Sequence, residues 1–347
     1  MRTTDNKKYF DPSGVGNTRA NIFGLPFGLA ESKLVFIPVP WDVTVSNHEG
    51  TSLAPQMIFD QSSQIDFHDP FSIDAWKQGM AMEQVDESLI ETNQLFRSKA
   101  LACIRFMEEG GDPQQSPSVN QNIAEVNQAC AAMIENLTSK CQAYHHAGQI
   151  PFLVGGDHSI STASLQALAS AKPGFGILQI DAHADLRKDY QGFIYSHASV
   201  MRLAADIQGV ANIVQVGIRE LCDDEVSFIQ DHSGKVKCWF DRDLAARQFK
   251  GEPWDVLCQE IISDLPDQVY VSFDMDGLDP SFCPHTGTPV PGGLTYNQAM
   301  YLLEEVVRSG RQIIGADLVE TGPHSFDAMM ACRVLYRMAG MLLKKIS

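Results

Sequence analysis

Short runs of continuously apolar residues recur along the chain, and polar or turn-forming residues follow each of them. Runs of this length that are rich in Val, Ile, Leu and Phe predict buried β-strands. Because the runs are unbroken instead of alternating, they are typical of strands in a parallel sheet that is covered on both faces. The predicted strands are 33–40, 151–156, 174–181, 212–218, 235–240, 268–276 and 312–320.

Segments of helical composition lie between these strands. Residues 84–109 form the first predicted helix, a polar loop occupies 110–121, and a second helix follows and runs to about His146. The remaining predicted helices are 159–171, 197–207, 223–231, 253–263, 296–309 and 325–344. Strands that alternate with helices predict an α/β fold, in which helices cover both faces of a parallel sheet.

The segment before the first strand, residues 1–32, is polar and glycine-rich and predicts an irregular N-terminal arm over the surface. Neither an internal repeat nor a Pro/Ser-rich linker divides the rest of the chain. Large parallel sheets permit a domain of this size. We therefore expect residues 33–347 to form a single domain.

Acidic and histidine residues stand where four of the predicted strands end. Asp157 and His158 follow the strand 151–156, and Glu320 ends the strand 312–320. The other two strand ends carry the remaining members: Asp181, His183, Asp185, Asp274, Asp276 and Asp279. Because ligands of open parallel sheets bind beyond the carboxyl ends of the strands, we expect these side chains to meet at one edge.

Of these groups, the one hardest to explain by a purely structural role consists of Asp181, His183 and Asp185. Alternate residues of an extended strand point to one side, and crowded carboxylates are costly unless a cation neutralises them. The other groups have structural alternatives as a helix cap or as turn formers. Together the strand ends offer two histidines and at least four aspartates, enough for two divalent cations. The excess of carboxylates favours Mn²⁺ over Zn²⁺, and such a pair of ions activates water for hydrolysis.

Composition narrows the classes of partner. The net charge of −17 disfavours a nucleic-acid partner, because the phosphate backbone would repel the chain, and it suits a cationic substrate. No stretch is apolar enough to span a bilayer, and the first residues lack the apolar core of a signal peptide. Eight cysteines are scattered without a C-x-x-C pair, which is typical of reduced thiols and predicts a cytoplasmic protein.

Five short segments resemble the ureohydrolase family, which includes arginase, agmatinase, formimidoylglutamase and guanidine hydrolase. In chain order they are GGDHS (155–159), DAHAD (181–185), YSHAS (195–199), SFDMDGLDP (272–280) and ADLVE (316–320). The resemblance implies a three-layer α/β/α sandwich with a mostly parallel central sheet. It also implies two Mn²⁺ ions per chain and a homo-oligomer, either a trimer or a hexamer.

The resemblance further implies a role for each matching position. One metal ion would have four ligands: His158, Asp181, Asp185 and Asp274. The other would also have four, with both shared aspartates bridging: Asp181, His183, Asp274 and Asp276. Asp185 would in addition hold the attacking hydroxide, His197 would shuttle protons, and Glu320 would grip a guanidinium group. Because this set is complete, a non-catalytic metal-binding member of the family is the less favoured alternative.

Two further segments indicate the substrate. The loop DLRKDYQGFIYSHASVMR (185–202) and the segment HTGTPVPGG (285–293) look most like agmatinase. The resemblance therefore favours hydrolysis of agmatine, a small cationic guanidino compound, to putrescine and urea. The alternatives are arginase activity, which converts arginine to ornithine and urea, and hydrolysis of guanidine or of another guanidino acid.

Some features depart from the agmatinase pattern. A long helical insertion is expected around 75–148, and the segment 320–331 lacks a Pro-rich turn after the glutamate. Trp41, Asn47 and His48 are expected near the rim of the site. They either form a structured surface loop or narrow the pocket toward arginine, guanidine or another small guanidine.

Overall fold

The structure, a computed structural model, describes residues 10–344. Within this range eight strands form one sheet, and the paired strands are parallel. In chain order they are β1 (Leu34–Val39), β2 (Met80–Met82), β3 (Ile150–Gly155), β4 (Phe175–Ile180), β5 (Val210–Ile218), β6 (Val236–Phe240), β7 (Gln268–Asp274) and β8 (Gln312–Val319). Their order across the sheet is β2-β1-β3-β8-β7-β4-β5-β6.

Ten α-helices of the described chain cover both faces of this sheet. They are α1 (Ala54–Ser62), α2 (Glu87–Glu108), α3 (Pro117–His146), α4 (Ser161–Ala171), α5 (Val200–Asp206), α6 (Asp223–Asp231), α7 (Asp241–Phe249), α8 (Trp254–Ser263), α9 (Tyr296–Arg308) and α10 (Ser325–Leu343). Buried residues of α1 and α7–α10 pack on one face, and those of α2–α6 pack on the other. The predicted three-layer α/β/α sandwich is therefore confirmed. Among the described residues, no helix combines the length and the apolar character that crossing a membrane requires.

Neighbouring residues of a strand pack on opposite faces of the sheet, which explains the unbroken apolar runs. In β1, Leu34 and Phe36 belong to the cluster that includes α1 and α10, whereas Val35 and Ile37 belong to the cluster that includes α2 and α3. All four side chains are buried. A strand between two helical layers needs apolar side chains at every position, because both of its faces are covered.

The structure contains three elements that the hydrophobic pattern does not predict: α1, β2 and α7. Strand β2 has only three residues, and α7 buries only Leu244, so neither shows a recognisable periodicity. In addition, α3 begins at Pro117, inside the segment 110–121 that the sequence predicts as a loop. Proline suits the first turn of a helix because its missing N–H would have no partner there.

The predicted N-terminal arm is partly a core segment. Residues 1–9 lie outside the described residues, and 10–32 are irregular with short 3₁₀ turns. However, Ile22, Phe23 and Leu25 are fully buried, and the Phe23 ring centroid lies 5.8 Å from that of Phe36 in β1. The prediction of an arm that lies only on the surface is therefore wrong for residues 10–32. Burial of three large apolar side chains stabilises this stretch against the sheet.

The segment 75–148, expected to be a helical insertion, also contributes to the sheet. It opens with a 3₁₀ turn at Ala75–Gln78 and continues into β2, which pairs with β1 at the edge. Only from Glu87 onward is it made of the two long helices α2 and α3. The segment is thus mostly helical, with one short edge strand before its helices.

The centre of the sheet positions the candidate site. Strands β3, β8, β7 and β4 are neighbours in this order, and they are the four strands whose ends carry the acids and histidines. Because the strands are parallel, all four of their carboxyl ends lie at the same edge.

Candidate metal centre

His158, just after β3, lies among three carboxylates. Its Nδ1 is 3.0 Å from Asp181 Oδ2, 2.9 Å from Asp185 Oδ2 and 3.3 Å from Asp274 Oδ2. All four side chains are almost completely buried. The ends of β3, β4 and β7 thus bring four of the predicted metal ligands into one group.

A second group surrounds His183 and shares Asp181 with the first. His183 Nδ1 lies 3.0 Å from Asp276 Oδ2 and 3.7 Å from Asp181 Oδ1. Asp181 therefore presents Oδ2 to His158 and Oδ1 to His183. Asp274, expected to bridge as well, adjoins the first group through Oδ2, while its Oδ1 accepts a hydrogen bond from the Asp276 backbone N–H (2.8 Å).

The hydrogen bonds behind His158 favour Nδ1 as its ligand nitrogen. Ser272 Oγ donates to Asp317 Oδ1 (2.9 Å), so it accepts from the Nε2–H of His158 (2.8 Å). Nδ1 is buried, has no hydrogen-bond partner among the described residues, and faces the three carboxylates. Three carboxylates that converge on one imidazole nitrogen need a positive charge among them, so these residues fit a divalent metal ion.

Crowding of buried acids raises several pKa values. Burial raises the pKa of Asp274 well above its usual value, and the charges of Asp276 and Asp181 add to the effect. Burial and the charge of Asp181 raise the pKa of Asp185 to about 7. Burial likewise raises the pKa of Glu320 well above its usual value. The site therefore needs added positive charge at neutral pH, from protons or from metal ions.

Two residues of the site adopt a left-handed backbone conformation that is uncommon outside glycine. The φ angle is 54° at Asp185 and 57° at Glu320. Each such residue costs on the order of 1–3 kcal/mol, so surrounding contacts must hold it. The Asp185 carbonyl accepts hydrogen bonds from two backbone N–H groups at the start of α5, and the Glu320 N–H donates to Gly156 O (2.9 Å). Such strain persists where a side chain has to be aimed at a ligand.

Glu320 closes the site between β8 and β3. It is 7% exposed, and its Oε1 accepts a hydrogen bond from the His158 backbone N–H (3.0 Å). The Thr286 hydroxyl donates to the Glu320 carbonyl (2.6 Å) and ties the loop after β7 to this position. The carboxylate is thereby fixed next to the first group of ligands.

A cavity of about 330 Å³ opens onto the second group of ligands. Six of its lining residues are polar and bear on the chemistry: His183, Asp185, Tyr190, His197, Glu220 and Thr288. Burial lowers the pKa of His197 to about 3, and positive charge at His183 and His158 adds to the effect. The imidazole of His197 is therefore neutral at pH 7 and lies on the wall of the cavity.

Not every residue expected near the site lies there. Trp41 is completely buried in the core beside β1, so the prediction that it lies at the rim is wrong. The residues that directly follow β1 are buried like the strand itself. Asn47 and His48 are exposed, while their neighbour Ser46 lines the cavity. Asp279 accepts hydrogen bonds in a turn and belongs to neither group of ligands.

The sequence did not reveal the polar residues behind the ligands. Gln179 Nε2 donates to Asp181 Oδ2 (2.7 Å), and Gln215 Nε2 donates to Gln179 Oε1 (2.6 Å). Ser272 and Asp317 support His158 in the same way. All four lie inside otherwise apolar strands. A polar residue inside an apolar strand is the signal that points to such a supporting role, because a buried polar group needs a hydrogen-bond partner.

Comparison with known proteins identifies the family. Residues 32–340 match the sequence profile described as the Arginase family. This chain belongs to the arginase family. An N(1)-aminopropylagmatine ureohydrolase from Thermus thermophilus is 32% identical over 316 residues, which cover 90% of this chain and 90% of that protein.

Two further relatives resemble the chain over most of its length. An agmatinase from Halalkalibacterium halodurans is 29% identical over 294 residues, covering 84% of this chain and 85% of that protein. The solved structure of an agmatine ureohydrolase from Thermoplasma volcanium has a TM-score of 0.69 at 25% identity and covers 98% and 97% of the two chains. The resemblance to the ureohydrolases, and among them to agmatinase, is confirmed.

Proposed function

We propose that this chain hydrolyses agmatine to putrescine and urea with the help of two Mn²⁺ ions. One observation carries the proposal: two histidines and four aspartates converge at the ends of three central strands, and Glu320 lies beside them. The −17 net charge of the chain also favours a cationic substrate.

The two groups of ligands would hold the two ions. His158 and Asp185 would serve one ion, His183 and Asp276 the other, and Asp181 and Asp274 both. The Oδ1 of Asp274 keeps a second lone pair beside the hydrogen bond from the Asp276 N–H. The oxygen-rich donor set suits Mn²⁺. The chemistry that such a pair supplies is Lewis acidity and a water made acidic near neutral pH.

The protein's own residues would orient the reactants and move protons. The Glu320 carboxylate would pair with the planar guanidinium and fix its carbon over the metal ligands. Asp185 would accept a hydrogen bond from the attacking water. His197, an imidazole on the wall of the cavity, would relay a proton to the departing amine.

A second candidate substrate is N(1)-aminopropylagmatine, because the Thermus thermophilus relative carries that name. Both candidates present a guanidinium at one end of a butyl chain and positive charge at the other. Glu220 at the cavity has a side chain that is 65% exposed, and it could meet an ammonium group of either compound. Agmatine is favoured by the two agmatine-hydrolysing relatives and by the loop 185–202.

Urea release tests the proposal directly. The Mn²⁺-loaded protein is assayed in parallel with agmatine, N(1)-aminopropylagmatine, arginine and guanidine. A kcat/KM at least tenfold higher for agmatine than for the others is the expected result. A preference for any other compound would keep the hydrolytic centre and overturn the substrate. Absence of urea from all four, with two metal ions bound, would overturn the activity itself.

The assembly and the compartment belong to the same proposal. We infer a homo-oligomer, a trimer or a hexamer, in the cytoplasm, with residues 33–347 as one domain. The side chain of Phe249 at the end of α7 is 89% exposed, and a subunit contact would cover it. All eight cysteines are unpaired, in keeping with a reducing compartment. Size-exclusion chromatography with light scattering would give the molecular mass of the assembly in solution. The mass of a single chain would contradict the proposed oligomer.

A further inference from the structure

A second group of ligand-type side chains lies outside the candidate metal centre, and we call it the His285 cluster. It combines the loop after β7 with the first turn of α10, and its members are Cys283, His285, His324 and Asp327. The loop and the helix meet at Asp327, which accepts hydrogen bonds from Cys283 and His285. The Thr286 hydroxyl ties the same loop to the Glu320 carbonyl at the end of β8. The cluster therefore adjoins the segment that holds Glu320.

Asp327 is the buried anchor of the His285 cluster. It is completely buried, and its Oδ1 lies 2.8 Å from His285 Nδ1, while its Oδ2 accepts from the His285 backbone N–H (2.9 Å). Cys283 Sγ lies 3.1 Å from the same Oδ2. Burial raises the pKa of the Cys283 thiol well above its usual value, so the thiol stays protonated and donates to the carboxylate. The carboxylate is thus held in one orientation, with Oδ1 turned to the imidazole.

Two exposed imidazoles complete the His285 cluster. The rings of His285 and His324 are stacked with centroids 4.0 Å apart and an interplanar angle of 21°. One ligand atom from each of His285, His324 and Asp327 lies within 4.8 Å of the others. His324 Nδ1 accepts a hydrogen bond from the Phe326 backbone N–H (3.2 Å), and its ring is exposed and so within reach of an ion from solvent.

The donors of the cluster suit a metal ion. Asp327 is completely buried, and among the described residues its ion pairing involves His285 alone. A buried carboxylate is stabilised by a positive charge bound next to it, and the two imidazoles are ligands for a divalent ion. A donor set of two nitrogens and one oxygen suits Zn²⁺, whereas the oxygen-rich main centre suits Mn²⁺.

We propose that His285, His324 and Asp327 form a zinc-binding site, separate from the candidate metal centre, with its remaining coordination positions open to solvent. Zinc bound there would fasten the loop after β7 to the start of α10, next to Glu320. The site lies beside the catalytic pocket without belonging to it, so its metal content can be measured whichever substrate the enzyme uses.

Metal analysis of matched variants tests the site. The variant His285→Asn/His324→Asn keeps a side-chain donor toward Asp327 and an N-cap acceptor at α10 but removes both imidazoles. The control His68→Asn/His146→Asn removes two exposed histidines elsewhere. Each protein is loaded with Mn²⁺, equilibrated with buffered Zn²⁺, and analysed by mass spectrometry of the metals. The expected result is about one equivalent of zinc in the wild type and the control, and none in the cluster variant.

Two outcomes would overturn the proposal. One is the same zinc content in the cluster variant as in the wild type. The other is zinc that enters the wild type only as Mn²⁺ leaves, which would place it in the main centre. The single variant His324→Asn, changed at an exposed position, gives the same comparison if the double variant is unstable. Zinc should also raise the Tm of the wild type and leave that of the cluster variant unchanged.

Discussion

Ser272 and Asp317 hold the imidazole of His158 from the side away from the carboxylates. Tyr270 extends this chain, because its hydroxyl donates to Asp317 Oδ2 (2.7 Å). Ser272, Asp317 and Tyr270 are completely buried. Hydrogen-bond partners behind a metal-bound histidine fix its tautomer and contribute about 10- to 100-fold to metal affinity.

The variant Ser272→Ala should therefore weaken metal binding. It removes the acceptor of the Nε2–H of His158, so the ring loses the bond that keeps Nδ1 as the ligand nitrogen. We expect the Mn²⁺ affinity to fall about tenfold or more, measured by equilibrium dialysis. Ser170→Ala, at an exposed position of α4, should bind Mn²⁺ like the wild type. Unchanged affinity in Ser272→Ala would show that this bond does not position His158.

Glu320→Gln should reduce activity without loss of metal. The amide keeps the shape of the side chain but removes the charge that pairs with a guanidinium. Hydrogen bonds to charged groups contribute about 1.5–3 kcal/mol, so we expect kcat/KM for urea release to fall about 10- to 100-fold. Glu135→Gln on the exposed face of α3 is the matched control and should be fully active. If Glu320→Gln retains full activity, Glu320 does not bind the guanidinium.

The sequence predicted which ionisable residues would gather but not what surrounds them. Asp181, His183 and Asp185 stood out because charged residues at the end of a buried strand are hard to explain as structure. Gln215 and Ser272 did not, since a single polar residue within an apolar strand leaves its periodicity unchanged. The left-handed conformation of Asp185 is likewise invisible in the sequence, because glycine is the residue that normally signals it. Which of the gathered residues bind metal stays a prediction.

At the scale of elements, strong periodicity decided what could be predicted. The seven long strands carry continuous apolar runs, and α9 carries a complete amphipathic pattern, so the sequence predicts them. Strand β2 is defined by its pairing with β1, which no local pattern encodes. Helix α7 is mostly polar and is held by contacts of Leu244 with the core. Elements of this kind depend on tertiary contacts more than on their own sequence.

The end of α3 should make stability fall at acidic pH. Burial lowers the pKa of His145 to about 4, and the charges of Lys172 and His146 add to the effect. An unfolded histidine titrates near 6.5. Between about pH 6.5 and pH 4 the unfolded chain therefore binds a proton that the folded protein does not, so stability is lost as the pH falls through this window.

His145→Gln should remove this contribution. We expect the difference in unfolding free energy between pH 7 and pH 5 to shrink by about 1 kcal/mol, a value reduced for solvent screening. Urea denaturation at the two pH values measures it. His68→Gln, at an exposed position outside α3, should keep the wild-type difference. An unchanged pH difference in His145→Gln would mean that other groups carry the acid sensitivity.

At the scale of the whole molecule, the parallel sheet concentrates negative charge at one edge. Four neighbouring strands end in acids, and the chain already carries a net charge of −17. Bound metal ions would join the ends of β3, β4 and β7 and neutralise this edge. The ions should therefore contribute to the stability of the fold as well as to catalysis, since a ligand that binds only the folded state stabilises it.

The stabilisation by metal should grow as the pH rises. In the metal-free protein, burial and Asp181 raise the pKa of Asp185 to about 7, whereas an unfolded aspartate titrates near 3.9. Between these values the folded state holds a proton that the unfolded state has released, so metal-free stability falls as the pH rises through the window. Metal ions remove this penalty.

The Tm difference between Mn²⁺-loaded and chelator-treated protein should therefore be larger at pH 8 than at pH 5. Effects that are common to both forms, such as the titration of His145, cancel in this difference. Asp185→Asn should flatten the metal-free profile. A Tm difference that is constant or shrinks from pH 5 to pH 8 would contradict a centre whose carboxylates are neutralised by metal ions.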